Sequence, residues 1–206
     1  MYLDIADLGF GNLSSIQHWV SLANIKTRLV DCPTKLSSST LLLPGVGSAG
    51  SYLSRLRELK FDDAVREHVD KGGRLIGICL GFQAMAKFTE EDSGQVGLSL
   101  IDADVIKMTE VFSNNQWHAF SFDKRVLQVN GYPCDYKRSK KRKLSGRVFF
   151  NHEYGVINHD KEAATVPINN ALSRYSGLIV KNNILGMQFH PEKSQQTGAE
   201  LIRMIL

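Results

Sequence analysis

The first half of the chain alternates two kinds of apolar spacing. Short apolar runs at Tyr2–Ala6, 27–30, Thr40–Leu43 and 75–78 are bounded by Gly, Pro, Asn, Asp or Ser and predict buried strands. Between them the spacing turns helical. Residues 12–23 put Leu13, Ile16, Val20 and Ala23 on one face. Residues 51–69 carry Leu53, Leu56, Leu59, Phe61, Ala64 and Val69 and read as two helical pieces. A further helix is predicted over 80–88, and a closing one over 197–206 with Leu201, Ile202 and Ile205 inward. From Leu98 the pattern shifts to short strands at 105–108, 120–122, 126–129, 147–150, 178–180 and 184–189. Strand–helix alternation predicts an α/β fold, with a mostly parallel central sheet and antiparallel additions from the second half. No internal repeat and no linker interrupts the 206 residues, so one domain over 1–206 is expected.

Charge changes this picture in one place. The net charge is +4, and Lys137, Arg138, Lys140, Lys141, Arg142 and Lys143 form one run. Without those six charges the rest carries −2. The run reads as a solvated loop; no aromatic stacking platform or recognition helix accompanies it, so a nucleic-acid partner is not expected. No apolar stretch approaches the roughly 20 residues of a membrane span. The opening Met1-Tyr2-Leu3-Asp4 lacks the features of a signal peptide. Cys32, Cys79 and Cys134 are scattered, which fits a reducing cytoplasm better than a disulfide framework or a metal site.

Candidate chemistry centres on Gly77-Ile78-Cys79-Leu80-Gly81, at a predicted strand-to-helix corner. A residue held in such a turn projects its side chain over the sheet end, and only small neighbours leave room for it. A free thiol, with a pKa of about 8.5, needs help to ionise at neutral pH, and a helix N-terminus is expected to favour its thiolate. A base is found far along the chain, in Gln188-Phe189-His190-Pro191-Glu192. His190 stands at a strand exit, and Glu192 is placed to turn back to the imidazole. Cys79, His190 and Glu192 thus make a nucleophile, a base and an orienting carboxylate. The Gly9/Gly11 turn lacks the third glycine of a dinucleotide-binding fingerprint.

These motifs, with Asp7-Leu8-Gly9-Phe10-Gly11-Asn12-Leu13, Pro44-Gly45-Val46-Gly47 and Gly97-Leu98-Ser99-Leu100, resemble those of class I glutamine amidotransferases. Within that class they are most similar to the glutaminase subunits of imidazole glycerol phosphate synthases, from the first strand to the last helix. The resemblance implies a three-layer, flavodoxin-like fold and hydrolysis of glutamine, with no cofactor and no metal. It implies an oxyanion hole from N–H groups of Val46 or Gly47 and of Leu80. It places the glutamine amino group near Gln83 and Glu91, and the carboxylate against the backbone around His152, Glu153 and Tyr154. The implied partner is a (β/α)8-barrel cyclase that receives the ammonia. One stretch departs from the pattern. Where those subunits usually carry Pro-His-Met/Ile-Gly-Trp-Asn at the partner interface, this chain reads Ser113-Asn114-Asn115-Gln116-Trp117-His118-Ala119-Phe120. The alternative is therefore a related glutaminase that feeds another synthase, such as one forming amidino sugars.

Overall fold

A computed structural model describes residues 2–108, 115–133 and 142–206. In chain order the elements are β1 (Tyr2–Ala6), α1 (Leu13–Ser21), β2 (Lys26–Val30), β3 (Thr40–Leu43), α2 (Ala49–Glu58), α3 (Phe61–Asp70), β4 (Arg74–Ile78) and α4 (Leu80–Gln83). There follow β5 (Phe88–Thr89), β6 (Gln95–Val96), β7 (Ala103–Lys107), β8 (Gln116–Asp123), α5 (Arg125–Val129), β9 (Lys143–Phe150), β10 (Tyr154–Asn158), β11 (Ala164–Pro167), β12 (Ser176–Lys181), β13 (Ile184–Met187) and α6 (Gln195–Ile205). Cys134, Ser113, Asn114 and residues 137–141 of the basic run lie outside the described residues.

The main sheet has the order β11-β12-β13-β4-β3-β1-β2. β13, β4, β3, β1 and β2 run parallel, while β12 and β11 extend one edge antiparallel. The parallel part has the strand order of a flavodoxin-like sheet. Successive side chains leave a strand on opposite faces. Leu3, Ile5, Leu42, Ile76, Ile78, Leu185 and Met187 accordingly join the cluster that holds α1 and α6. Leu41, Leu43, Leu75 and Ile184 join the one that holds α2, α3 and α4. The result is three layers, as the resemblance implies. Trp19 ties two helices together by donating its indole N–H to Gly198 O at 2.8 Å. Two smaller sheets, β10-β7-β5-β6 and the hairpin β8-β9, complete the fold.

Two elements differ from the sequence reading. The helix expected over 80–88 ends at Gln83. Met85 and Ala86 turn their N–H groups to the carbonyls of Phe82 and Gln83, three residues back. The carbonyls of Ala84, Met85 and Ala86 then accept N–H groups from residues 98 to 101, which takes them from a continuing helix. The run looks helical in sequence because Ala84, Met85 and Ala86 are all buried. The strand expected over 126–129 is the helical turn α5. Asp123 Oδ1 accepts the Arg125 N–H at 2.9 Å, and Gly131 leaves the turn at φ +68°. Of its apolar residues only Leu127 is buried and Val129 is exposed, so the local turn at Asp123 outweighs the β-branched composition.

Candidate active site

The two motifs, more than a hundred residues apart in sequence, meet through sheet register. β4 and β13 are parallel neighbours, with Gly77 opposite Gly186 and Ile78 opposite Met187. Both strands therefore release their next residues at the same sheet edge, where open α/β sheets place their ligands. Cys79 N–H donates to Met187 O at 2.7 Å and closes that edge.

Cys79 adopts φ 52°, ψ −108°, a conformation that L-residues avoid at a cost of about 1–3 kcal/mol. The glycines around it are sterically required. A Cβ on Gly81 would lie 2.0 Å from Leu43 O, and one on Gly45 would lie 2.8 Å from Gly81 N and from Leu80 Cβ. Residues 44–47 thus lie directly against the corner. Tyr52 fixes this loop by donating its hydroxyl to Pro44 O at 2.8 Å, and Gly47 takes φ +114°. The N–H groups of Val46, Gly47 and Leu80 donate to no acceptor among the described residues. Since α4 is a single turn, its dipole is small, and the expected help from a long helix is reduced to such local N–H groups.

His190 is buried at 1% exposure. Its N–H donates to Phe149 O at 2.8 Å, and its carbonyl accepts the Ser194 hydroxyl at 2.6 Å. The ring nitrogen Nδ1 stands 2.8 Å from Glu192 Oε1, and both side chains are almost wholly enclosed. Nε2 is buried with no hydrogen-bond partner of good geometry. Burial alone would lower the imidazole pKa. The negative charge and hydrogen-bonding capacity of Cys79, followed by those of Glu192, outweigh it and raise the value to about 10. A protonated His190 ring is the state this arrangement favours.

In front of the cysteine lies a cavity of about 240 Å³ lined by Val46, Gly47, Cys79, Leu80, Gln83, Glu91, Asn151, His152, Glu153 and Tyr154. Every residue that the sequence reading named as an oxyanion donor or substrate contact reaches it. His190 and Glu192 are not among its lining residues. Gln83 donates from Nε2 to Tyr154 O at 3.1 Å and to Gln188 Oε1 at 3.2 Å. Burial, then the neighbouring carboxylate of Asp92, holds the Glu91 pKa above its ordinary value. His152 faces Tyr154 O through Nδ1, while its Nε2 is closed off from water. Burial pushes its pKa down to about 3, so it is neutral and donates from Nδ1. Asn151 and Gln188 were not among the expected residues. Asn151 was signalled by its place directly before His152, Glu153 and Tyr154, and Gln188 by being a polar residue within an otherwise apolar strand end.

A larger cleft of about 630 Å³ lies by β8, β9 and the end of β11. Its lining contains no titratable side chain, whereas the smaller cavity is lined by Cys79, Glu91, His152, Glu153 and Tyr154. Among the described residues, no His, Cys, Asp and Glu group is placed to hold a metal ion. Nor is any helix among them long and apolar enough to cross a membrane.

Comparison with known proteins gives the family. The family described as glutamine amidotransferase class-I matches residues 5–205. The chain belongs to this family. It is 34% identical over 204 residues to the imidazole glycerol phosphate synthase subunit HisH of Chlorobium luteolum, covering 97% of this chain and 96% of that protein. The HisH subunit of Chlorobaculum tepidum is 31% identical, with 97% and 96% covered. Among solved structures, one described as a glutamine amidotransferase superposes with a TM-score of 0.73 at 17% identity, over 98% of this chain and 97% of that one. That likeness supports the fold.

Proposed function

We propose that this chain is the glutaminase subunit of an imidazole glycerol phosphate synthase. It hydrolyses glutamine to glutamate and ammonia. The ammonia passes to a (β/α)8-barrel cyclase, which uses it to make imidazole glycerol phosphate and aminoimidazole carboxamide ribotide in histidine biosynthesis. The observation that carries this reading is Cys79, strained at the sheet edge beside the buried His190–Glu192 pair and open to an amino-acid-sized cavity. Near-full-length similarity to HisH subunits supports the pathway.

The geometry supports the following chemistry. The Cys79 thiolate attacks the side-chain amide carbon of glutamine. Charge moves to the carbonyl oxygen, where the unused N–H groups of Leu80 and of Val46 or Gly47 receive it. His190 gives its proton to the departing ammonia, leaving a thioester. The neutral imidazole then takes a proton from water, which adds to the thioester and releases glutamate. Glu192 holds the ring in place and stabilises its charge. The Glu91 carboxylate and Gln83 amide receive the substrate's amino end, and the backbone of His152, Glu153 and Tyr154 its carboxylate. Among the described residues the cavity holds no acceptor chemistry of its own, which is why a partner is required. In this reading the chain is cytoplasmic and forms a heterodimer with that partner.

The alternative, a related glutaminase for another synthase, is favoured by one observation: the altered order around Trp117 and His118. The two readings separate on mixing the chain with a histidine-pathway barrel cyclase. Glutamate release should rise by orders of magnitude when that partner carries its acceptor, and no rise would favour the alternative. In the active complex, Cys79→Ala should abolish glutamine-dependent synthesis and leave ammonia-dependent synthesis intact. Equal loss of both would give the cysteine a structural role instead.

A further inference from the structure

One buried polar side chain has no part in the chemistry above. Gln188 follows β13 and is 0% exposed. Its backbone N–H donates to Gly177 O at 2.9 Å, so β12 holds the main chain. Its side chain bridges two groups of the site. Oε1 lies 3.2 Å from Gln83 Nε2, and Nε2 lies 3.9 Å from Cys79 Sγ.

A single fixed acceptor sets the orientation of both amides. The Tyr154 carbonyl can only accept, so the Gln83 atom 3.1 Å from it is the NH2 group. That group has a second hydrogen, and it points to Gln188, which must answer with its oxygen. The Gln188 NH2 is left facing the sulfur. Flipping Gln188 would set two NH2 groups against each other and turn an oxygen toward Cys79. The relay therefore runs one way, from carbonyl through two amides, and delivers an N–H to Sγ.

We propose that Gln188 is a positioning residue: it donates an N–H to the Cys79 sulfur, favours thiolate over thiol, and couples that sulfur to the glutamine pocket through Gln83 and Tyr154. The inference deepens the glutaminase reading and rests on it for the role of Cys79 as nucleophile. A thiolate accepts hydrogen bonds and gives none, so a lone donor stabilises the ionised form selectively. The contact is long for a neutral pair. Hydrogen bonds to ionised partners shorten and strengthen, so this one tightens when the proton leaves. It acts alongside His190, whose ring approaches the same sulfur. Tyr154 and Gln83 both line the cavity, so a bound substrate touches the far end of the same relay.

The test is the pH dependence of Cys79 alkylation by iodoacetamide in the full-length chain. Peptide mass spectrometry reads Cys79 apart from Cys32 and Cys134. Gln188→Met removes the donor at similar volume, and Gln188→Glu places a carboxylate beside the sulfur. The midpoint should rise by about one pH unit in Gln188→Met, and further in Gln188→Glu, so that about one unit below the wild-type midpoint reactivity falls about tenfold. The plateau at high pH should not change, since the thiolate itself remains accessible. A purely structural role would change the plateau or the melting temperature without moving the midpoint. A wild-type midpoint in Gln188→Met, or a lowered one in Gln188→Glu, overturns the proposal. If neither variant folds, Gln83→Met serves: it leaves Gln188 in place but free to flip, and should raise the midpoint by less than a unit. An unchanged midpoint there overturns the relay. Glutamate release by the wild-type complex is measured separately. Its absence would defeat the glutaminase reading, while the alkylation midpoints would still report on Gln188.

Discussion

Replacing Glu192 by Gln isolates the carboxylate's contribution to the proposed triad. Glu192 Oε1 lies 2.8 Å from His190 Nδ1, and the two side chains are 3% and 2% exposed, so solvent screens the pair weakly. Gln keeps an acceptor for Nδ1–H and so keeps the tautomer, with Nε2 directed to the reaction. What it removes is the charge. A hydrogen bond to a charged group contributes about 1.5–3 kcal/mol, against about 0.5–1.5 for a neutral one. The upper end applies to an enclosed pair, and the Gln NH2 would occupy the place of Oε2, which is buried without a partner. A loss near 2–3 kcal/mol corresponds to about 30–150-fold in turnover. The direction for His190 is also fixed: without the Glu192 charge its pKa falls from about 10. Glutamate release by the complex, followed against pH, is the assay, with ammonia-dependent synthesis as control. Turnover within twofold of wild type would remove Glu192 from the triad. A loss as deep as that of His190→Ala would mean that the substitution misplaces the ring rather than merely discharging its neighbour.

Other predictions concern the supporting structure. Gly45→Ala puts a methyl group 2.8 Å from Gly81 N and Leu80 Cβ; displacing residues 44–47 should lower glutamine turnover by about 10²–10³ with ammonia-dependent synthesis intact, and equal turnover would show that the loop supplies no oxyanion donor. His152 has a folded pKa of about 3 because burial outweighs its bond to Tyr154 O, with the positive charges of His190 and His118 acting in the same direction as burial. The unfolded chain takes up that proton near pH 6.5 and the folded chain does not, so this contribution is complete above that pH and shrinks as pH falls, by about 2 kcal/mol at pH 5. Urea unfolding at pH 7 and pH 5 should show a smaller difference in His152→Asn than in wild type; equal differences would count against the assignment. Asp4 is 1% exposed and accepts from Arg28 and from the N–H groups of Ser37 and Ser38. Asp4→Ala should cost about 3 kcal/mol in chemical denaturation, and a cost under about 1 would mean that water replaces the carboxylate.

How much of this was legible in the sequence depends on how local the determining interactions are. The parallel strands were readable because Leu41 to Leu43 and Leu75 to Ile78 are buried on both faces and bounded by turn residues. Cys79 was readable because a positive-φ corner demands small neighbours, and Gly77 and Gly81 stand two residues to either side of it. The 80–88 region misled because its burial comes from loop 97–101, a contact that periodicity does not reveal. The strands β5 and β6 are two residues each, too short to show an alternation of any kind. Asp4 is read as part of a strand, yet nothing in Tyr2–Ala6 announces that its partners lie at Arg28, Ser37 and Ser38. Gln188 shows the same limit at the site. Its neighbours are Gln83 and Cys79, and only the register of β13 against β4 brings them together.

That register also explains why the cysteine motif and the histidine motif require each other sterically. Gly77 and Gly186 are paired residues on adjacent strands. Phe82, in the turn that follows Cys79, lies across both. A Cβ on Gly186 would fall 1.9 Å from Phe82 Cδ2, and one on Gly77 would fall 2.8 Å from Phe82 Cα and 2.4 Å from Met85 Cε. Two bare backbones side by side make a flat floor for the ring, and the chain after Cys79 can fold back at once onto the sheet. That sharp return holds the cysteine at positive φ and aims its side chain over the edge where β13 delivers Gln188 and His190. A larger residue at Gly186 would lift Phe82 and with it the corner, even though Gly186 touches neither substrate nor sulfur. The glycine before the histidine motif is thus part of the cysteine's geometry, placed by the pairing of two strands that the sequence keeps more than a hundred residues apart.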